Sequence, residues 1–420
     1  MRPTAALLKA ATAAVDLACT LERPADSVLR EFFRAHRELG SHDRAFVADA
    51  AFTVLRHKRL LEAMLPEPTP RRLVIASLVK LQGISIGALE AFLDPADMQW
   101  LVAMKQVDAE RLPMPVRLSL PDWVWERLLA QMDETEAVAL GRSLLAHAPL
   151  DLRVNTLIAT RDEVLRELAA SGFEPQPTPH SPVGVRLKGK PAINRHPLYL
   201  RGAVEVQDEG SQLLGFLAAP KRREMVVDFC AGAGGKTLLM GATMQSQGRL
   251  YAFDVSAKRL NELKPRLKRS GLSNVHPQLI AGENDPKVKR LAGKIDRVLV
   301  DAPCSGLGTL RRNPDMKWRQ SADAVGELVA KQRSILAASA QLLKPGGRLV
   351  YATCSLLSEE NEDVVEQFVA ARPGYDFVDA QQILDAQRIN LDVGRYFRVY
   401  PHRQGCDGFY AAVIERTKDA

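Results

Sequence analysis

The chain has 420 residues, 46% of them apolar and 25% charged, and its 57 Lys and Arg against 50 Asp and Glu leave a net charge of +7. This length accommodates two or three domains, and the composition excludes fibrous, collagenous and extensively disordered classes. The basic excess leans toward a polyanionic partner such as RNA or DNA, although a mild excess also occurs in proteins that touch no nucleic acid.

Five cysteines, Cys19, Cys230, Cys304, Cys354 and Cys406, form an odd set without Cys-x-x-Cys spacing. This argues against a structural zinc site or a disulfide framework, so no metal is expected, and it fits a reducing cytoplasm. Ala5 to Thr20 is apolar enough to imitate a signal peptide, but Lys9 and Asp16 interrupt it and an amphipathic helix is expected instead. No later run approaches the roughly 18 apolar residues of a membrane span, so no membrane partner is expected.

Residues 1–145 read as an all-helical domain. Ala5, Leu7, Leu8, Ala11, Val15 and Leu17 recur at helical spacing, as do Val28, Leu29, Phe32 and Phe33. The clusters Arg34 to Arg37 and Arg56 to Arg59 could contact phosphate, but solvated helix faces are the commoner explanation. Trp123 and Trp125 are expected in the core.

Residues 146–205 change texture. Leu152 to Thr156 and Gly184 to Leu187 read as strands, and Arg161 to Ala170 as a helix ended by Gly172, giving a small α+β module. Lys188, Lys190, Arg195 and Arg201 crowd into a Pro-punctuated segment that suits RNA docking, or is simply a basic linker.

Residues 206–420 alternate strand and helix. Met225 to Cys230 is a buried strand and Ala231 to Thr237 a glycine loop opening a helix. Arg249 to Asp254 is the next strand, followed by a helix from Ala257 to Arg269 that Ser256 caps, Gly271 ends and Pro265 should kink. Val325 to Leu343 reads as a helix, Lys344 to Gly347 as a turn and Arg348 to Cys354 as a strand. The expected fold is an α/β doubly wound parallel sheet.

The stretch Ile295 to Gly308 organises this domain. Its first half is an apolar, Val- and Leu-rich run, read as a buried parallel strand, which breaks off at Asp301-Ala-Pro-Cys304. A carboxylate and a thiol are thereby presented at the carboxyl edge of a sheet, where open α/β folds bind ligands.

Glycines admit a ligand close to the backbone, and Asp254, about twenty positions after Gly235, suits ribose hydroxyls. The loop is not the dinucleotide fingerprint, whose third glycine would stand at Thr237, nor a P-loop, whose first glycine would stand at Cys230. A cofactor with a ribose and no pyrophosphate, such as S-adenosylmethionine, fits better among the nucleotide-like ligands.

Cys304 and Cys354 each follow a strand, so both should open onto the same edge as the glycine loop. Taken singly, each could be a buried small apolar residue. Two thiols at two strand ends beside a methyl donor suit methylation of carbon 5 of a pyrimidine: a thiolate adds at carbon 6 and makes carbon 5 nucleophilic. A carboxyl on the base edge would stabilise the adduct and a base must remove the carbon-5 proton, roles that Asp301 and a second thiol could fill.

Asp228-Phe-Cys-Ala-Gly-Ala-Gly-Gly-Lys-Thr237, Asp301-Ala-Pro-Cys-Ser-Gly306, Tyr351-Ala-Thr-Cys-Ser355 with Glu360-Asn-Glu362, and Gly405-Cys-Asp-Gly-Phe409 together resemble the RsmB/Sun (NSUN) family of RNA cytosine-5 methyltransferases. The likeness runs from about Leu152 through Val206 to Gln212 to the C-terminus. The N-terminal helices resemble more loosely the NusB-like extension of the bacterial 16S ribosomal RNA enzymes. The resemblance implies a Rossmann-like class I methyltransferase sheet preceded by an all-helical domain and an RNA-binding module, acting as a monomer on small-subunit ribosomal RNA. It implies that Cys354 is the nucleophile, that Cys304 assists proton removal and product release, and that Asp301 binds the base beside the methionine moiety. Cys230, Ala231, Gly232, Ala233, Gly234, Gly235 and Lys236 would line the cofactor and Asp254 would hold its ribose.

Two departures stand out. The family loop usually has Ala-Pro where this chain has Gly232-Ala233, and the acid that the family tends to place near the adenine after the third strand is replaced by Ala281-Gly-Glu-Asn-Asp285, with Asn284 or Glu283 the candidates. The run Ser358 to Glu362 reads as a helix start with favourable dipole placement and no chemistry. Transfer RNA as substrate, and a non-catalytic ribosome-assembly factor on the same fold, are the alternatives.

Overall fold

The computed structural model describes residues 3–189 and 191–418, and Lys190 lies outside them. The chain divides into two compact units, one of Met1–His147 with Thr309–Ala322, the other of Ala148–Gly308 with Asp323–Ala420.

The first unit is helical, with major helices at Ala5–Cys19, Ala25–Ala35, Ser41–Ala63, Pro70–Lys80, Pro95–Gln106, Asp122–Leu129 and Glu134–Leu144. Side-chain caps start several of them: Thr4 accepts from the Leu7 amide, and Asp94 and Asp97 form a reciprocal capping box. The first helix buries Leu7, Leu8, Ala11, Ala14, Val15 and Ala18, the expected amphipathic face, whereas Leu17 is 48% exposed. Leu8, Ala11, Ala14 and Val15 pack with Val47, Val54, Leu61, Val74 and Leu78 into one core. Trp125 is buried, and Trp123 carries the Arg127 guanidinium 5.3 Å above its ring.

Arg34 and Arg37 are exposed, as a solvated face requires, but Arg56 is not. It is 4% exposed and donates to the Arg311 carbonyl at 3.0 Å. In return Lys317 Nζ donates to the Arg56 carbonyl at 2.8 Å, Trp318 Nε1 to that of Leu55 at 2.7 Å, and the Ala25 amide to Asp315 at 3.2 Å. The segment Thr309–Ala322, placed with the methyltransferase domain by sequence, thus satisfies its polar groups inside the helical unit. The solvated reading of Arg56 fails because its partners are carbonyls about 250 residues away.

The second unit holds two sheets. In the smaller, β1 (Leu150–Val154), β2 (Pro175–Pro177), β3 (Gly184–Leu187) and β4 (Val204–Val206) pair antiparallel in the order β2-β3-β1-β4, with the helix Arg161–Ala170 started by a Thr160–Glu163 capping box. Among the basic residues of this module, Lys188 pairs with Glu174 and Arg201 with Glu167.

The larger sheet comprises β5 (Met225–Asp228), β6 (Arg249–Asp254), β7 (Val275–Leu279), β8 (Ile295–Asp301), β9 (Leu343–Thr353), β10 (Tyr375–Val378), β11 (Phe397–Val399) and β12 (Phe409–Arg416). Their order is β10-β12-β9-β8-β5-β6-β7, with β11 also on β12. The pairs from β9 through to β7 are parallel, but β12 runs antiparallel to β9, and β10 and β11 antiparallel to β12. The wholly parallel expectation is corrected at this edge. The link from β11 to β12 is too short for the crossover of a dozen or more residues that a parallel pair needs.

Alternate residues of the central strands enter two cores: Val226, Leu250, Leu299 and Val350 on one face, Val227, Phe253, Val298 and Leu349 on the other. Burial on both faces is what turns these strands into unbroken apolar runs. The helix Ala257–Ser270 continues through Pro265 without a break, and the helix Ala322–Ala340 ends before Leu343, which already pairs with Ile295 in β9. Lys344 to Gly347 then bulges out, and pairing resumes at Arg297 with Arg348. The strand order reverses between β5 and β8, which opens a crevice at their carboxyl ends.

Candidate active site

Into that crevice the sheet delivers groups from β5, β6, β8 and β9. The glycine loop is bent by Gly232 (φ +56°) and Gly234 (φ +83°), conformations that β-carbons resist. A Cβ on Gly234 would meet Leu263 at 2.1 Å, so this glycine is required by packing. A Cβ on Gly232 would meet nothing within 4 Å, so there the loop borders open space.

Asp254 at the end of β6 ties the loop down. One carboxylate oxygen accepts from the Gly232 amide at 2.8 Å and the other from the Ser256 amide at 2.7 Å. Each oxygen keeps a lone pair for a further donor. Arg266 donates to the Ala233 carbonyl at 2.7 Å, and the buried Arg153 reaches the Gly235 carbonyl and Gln207. A loop without Ala-Pro is therefore stiffened from outside by two guanidinium groups. Open space at Gly232, a carboxylate with spare acceptor sites and the first turn of the helix Gly235–Thr243 fit a nucleoside cofactor that lacks a pyrophosphate.

The opposite wall is charged. Lys236 Nζ lies 2.7 Å from Asp301 Oδ2 at the end of β8 and 5.8 Å above the Phe409 ring. Burial alone would pull this ammonium down, but the Asp301 charge and hydrogen bond overcome it and Lys236 stays above its ordinary value. Beneath them Asp228 is buried and accepts from Thr237 Oγ1 at 2.6 Å. Burial pushes its carboxyl up to about 7, with the Asp301 charge adding to the rise. Asp301 keeps its side chain about a third exposed, at 31%, so it can meet a ligand.

Cys304 Sγ and Cys354 Sγ stand 3.4 Å apart. The adjacent strands β8 and β9 place them, and the Gly308 amide donates to the Cys354 carbonyl at 2.8 Å. The hydrogen bond with Cys354, together with burial, holds the Cys304 thiol well above its usual range. Burial likewise raises the Cys230 thiol, which packs against the core on one face of the sheet.

The structure brings Cys304, Cys354, Asp301, Lys236, the loop from Cys230 to Gly235 and Asp254 to one sheet edge. Of the two residues considered for the adenine side, Glu283 is committed elsewhere: hydrogen bonds from Lys331 at 2.7 Å and Ser334 at 2.6 Å outweigh its partial burial and hold its carboxyl at about 2. Asn284 is exposed.

One residue escaped sequence reasoning. Glu360, in the run read as a helix start without chemistry, is fully buried at 0% exposure and binds the residues that follow both cysteines. Three acids within four residues, Glu359, Glu360 and Glu362, suggest solvent, and no local signal separates the buried one from its neighbours.

The chain is similar to known proteins over most of its length. A family model described as 16S rRNA methyltransferase RsmB/F matches residues 216–415, and one described as an RsmF/B-like ferredoxin-like domain matches residues 120–194. A probable ribosomal RNA small subunit methyltransferase B of Synechocystis is 30% identical over 90% of this chain and 92% of its own length. Ribosomal RNA small subunit methyltransferase B of Sodalis glossinidius is 36% identical over 74% of this chain and 69% of its own. The crystal structure of PH0851 superposes with a TM-score of 0.80 and 26% identity, covering 99% of this chain and all (100%) of that one.

Proposed function

Because this chain belongs to the 16S rRNA methyltransferase RsmB/F family, we propose that it methylates carbon 5 of a cytosine in small-subunit ribosomal RNA through a covalent cysteine adduct. The observation that carries the reading is the Cys304–Cys354 pair at 3.4 Å, beside the Asp301–Lys236 pair and the glycine loop.

S-adenosylmethionine, when bound, supplies an electrophilic methyl group. Cys230 to Lys236 line its site and Asp254 accepts from its ribose hydroxyls. Cys354 adds as a thiolate to carbon 6 of the base, which places the ring's electron pair on carbon 5. Asp301, held by Lys236, accepts from the exocyclic amine that cytosine has and uracil lacks. That pair forms the bond to the methyl group as the donor's sulfur–methyl bond breaks; Cys304 then assists loss of the carbon-5 proton, and the freed electron pair restores the ring double bond as the bond to Cys354 breaks. The base reaches the thiols only when single-stranded or flipped, since stacking shields carbon 6. The module of β1 to β4 is assigned to RNA docking, and the reducing cytoplasm keeps both thiols free.

Incubation of unmodified 16S ribosomal RNA with labelled methyl donor, followed by nucleoside analysis, tests this reading. Label in 5-methylcytidine is expected. Label confined to a ribose or to an exocyclic nitrogen would overturn it.

A further inference from the structure

Glu360 lies in a short turn, Ser358–Glu360, just after β9, and its carboxylate is enclosed by the two cysteine loops. Oε1 accepts from the Ser305 amide at 2.8 Å and from Gln332 Nε2 at 2.9 Å. Oε2 accepts from the Ser305 hydroxyl at 2.5 Å and from the Ser355 hydroxyl, and those two hydroxyls are 3.1 Å apart. Gln332 Nε2 also donates to the Pro303 carbonyl at 2.9 Å.

Ser305 follows Cys304, Ser355 follows Cys354 and Pro303 precedes Cys304. Glu360 therefore binds the residue after each thiol, through the amide and hydroxyl of Ser305 and the hydroxyl of Ser355, and Gln332 links it to the Pro303 carbonyl before Cys304. Its own backbone is pinned by Tyr351, whose hydroxyl donates to the Glu360 carbonyl at 2.7 Å, and the following Asn361 accepts from Thr353 Oγ1 at 2.5 Å. Among the described residues no cation pairs with this carboxylate; four neutral donors satisfy it. A buried charge satisfied in this way is rigid, since moving either loop would strand it without donors.

We infer that Glu360 is the positioning residue that holds Cys304 and Cys354 in register, so that the thiol which clears the adduct stays within reach of the thiol which forms it. The inference rests on the reading of these cysteines as the reacting pair. Glu360 touches neither substrate nor cofactor in this account, and its negative charge adds to the high proton affinity of Cys304.

Glu360→Gln keeps the shape and removes the charge that four donors address. In single-turnover assays it should lower the methylation rate about 10- to 100-fold, with KM for RNA and cofactor little changed, as expected for a small misplacement of reacting groups. It should also accumulate a denaturation-resistant protein–RNA adduct, since a displaced Cys304 clears the adduct slowly. A purely structural role predicts a lower Tm and no adduct, and that result, or a wild-type rate, would overturn the inference. Should Glu360→Gln fail to fold, the Ser305→Ala and Ser355→Ala pair, which removes two donors, is read the same way. Cys354→Ala and Cys304→Ala run alongside: if both make wild-type product, the thiol reading itself has failed, whereas if only the Glu360 variant behaves as wild type, the positioning role alone has failed.

Discussion

Asp254 illustrates how much one carboxylate can hold. It joins its neighbour Ser256 to the Gly232 amide 22 residues before it, so it shapes the loop as well as offering acceptors to a ribose. Asp254→Ala loses two hydrogen bonds to a charged acceptor as well as the ligand contact, and the dissociation constant for S-adenosylhomocysteine should rise about 10- to 100-fold by calorimetry. An unchanged constant would show that the ribose is held elsewhere. Asp254, the glycines and both cysteines were legible because each stands where an apolar run stops, and the end of a buried strand is visible in sequence. Glu360 was not, since its burial depends on Ser305 and Ser355 arriving from two different strands. Arg153 was missed for the same reason: its partners, Gln207 and the Gly235 carbonyl, come from other elements of the unit.

At the scale of elements, the loops bearing the cysteines cross the C-terminal motif through paired glycines. The Gly408 amide donates to the Gly308 carbonyl at 2.9 Å, and a Cβ on Gly308 would meet the Gly408 carbonyl oxygen at 2.1 Å and that of Cys354 at 2.9 Å. Both obstacles are backbone and cannot swing aside. Gly308→Ala should cost about 1–3 kcal/mol, the usual penalty of overpacking, and be seen as a lower Tm with reduced methylation; an unchanged Tm would mean the loops part freely. In the helical unit, burial pulls the His57 imidazole down to about 4, with Lys317, Arg56 and His147 adding to the effect. A depressed folded-state value means that His57 favours folding fully above pH 6.5, and that this contribution is lost as the pH falls toward 4, because only the unfolded chain takes up the proton. The loss amounts to roughly 2 kcal/mol after allowance for the partly exposed ring. Comparing Tm at pH 7.5 and pH 5 should show a smaller drop for His57→Gln than for wild type, and equal drops would contradict it. Strands β6 and β8 matched expectation closely, since burial on both faces leaves a long apolar run. The antiparallel edge at β12 was not foreseen, because Phe409 to Arg416 reads like any other buried strand and only its short connection from β11 decides the direction.

For the whole molecule, the division of labour differs from a simple succession of domains. Thr309–Ala322 leaves the methyltransferase sequence and completes the helical unit, and nothing local in Arg311-Arg-Asn-Pro-Asp could reveal partners at Arg56 and Leu55. Among the described residues no helix is long and apolar enough to cross a membrane. What unites the account is that β8 and β9, neighbours in one sheet, each end in a thiol. The most direct measurement is to incubate wild type, Cys354→Ala and Cys304→Ala with unmodified 16S ribosomal RNA and labelled methyl donor, and to resolve the products on denaturing gels. Cys354→Ala should neither methylate nor form an adduct, whereas Cys304→Ala should be trapped as a covalent protein–RNA species. Wild-type product from both variants would contradict this, leaving the fold and family in place and removing covalent pyrimidine chemistry.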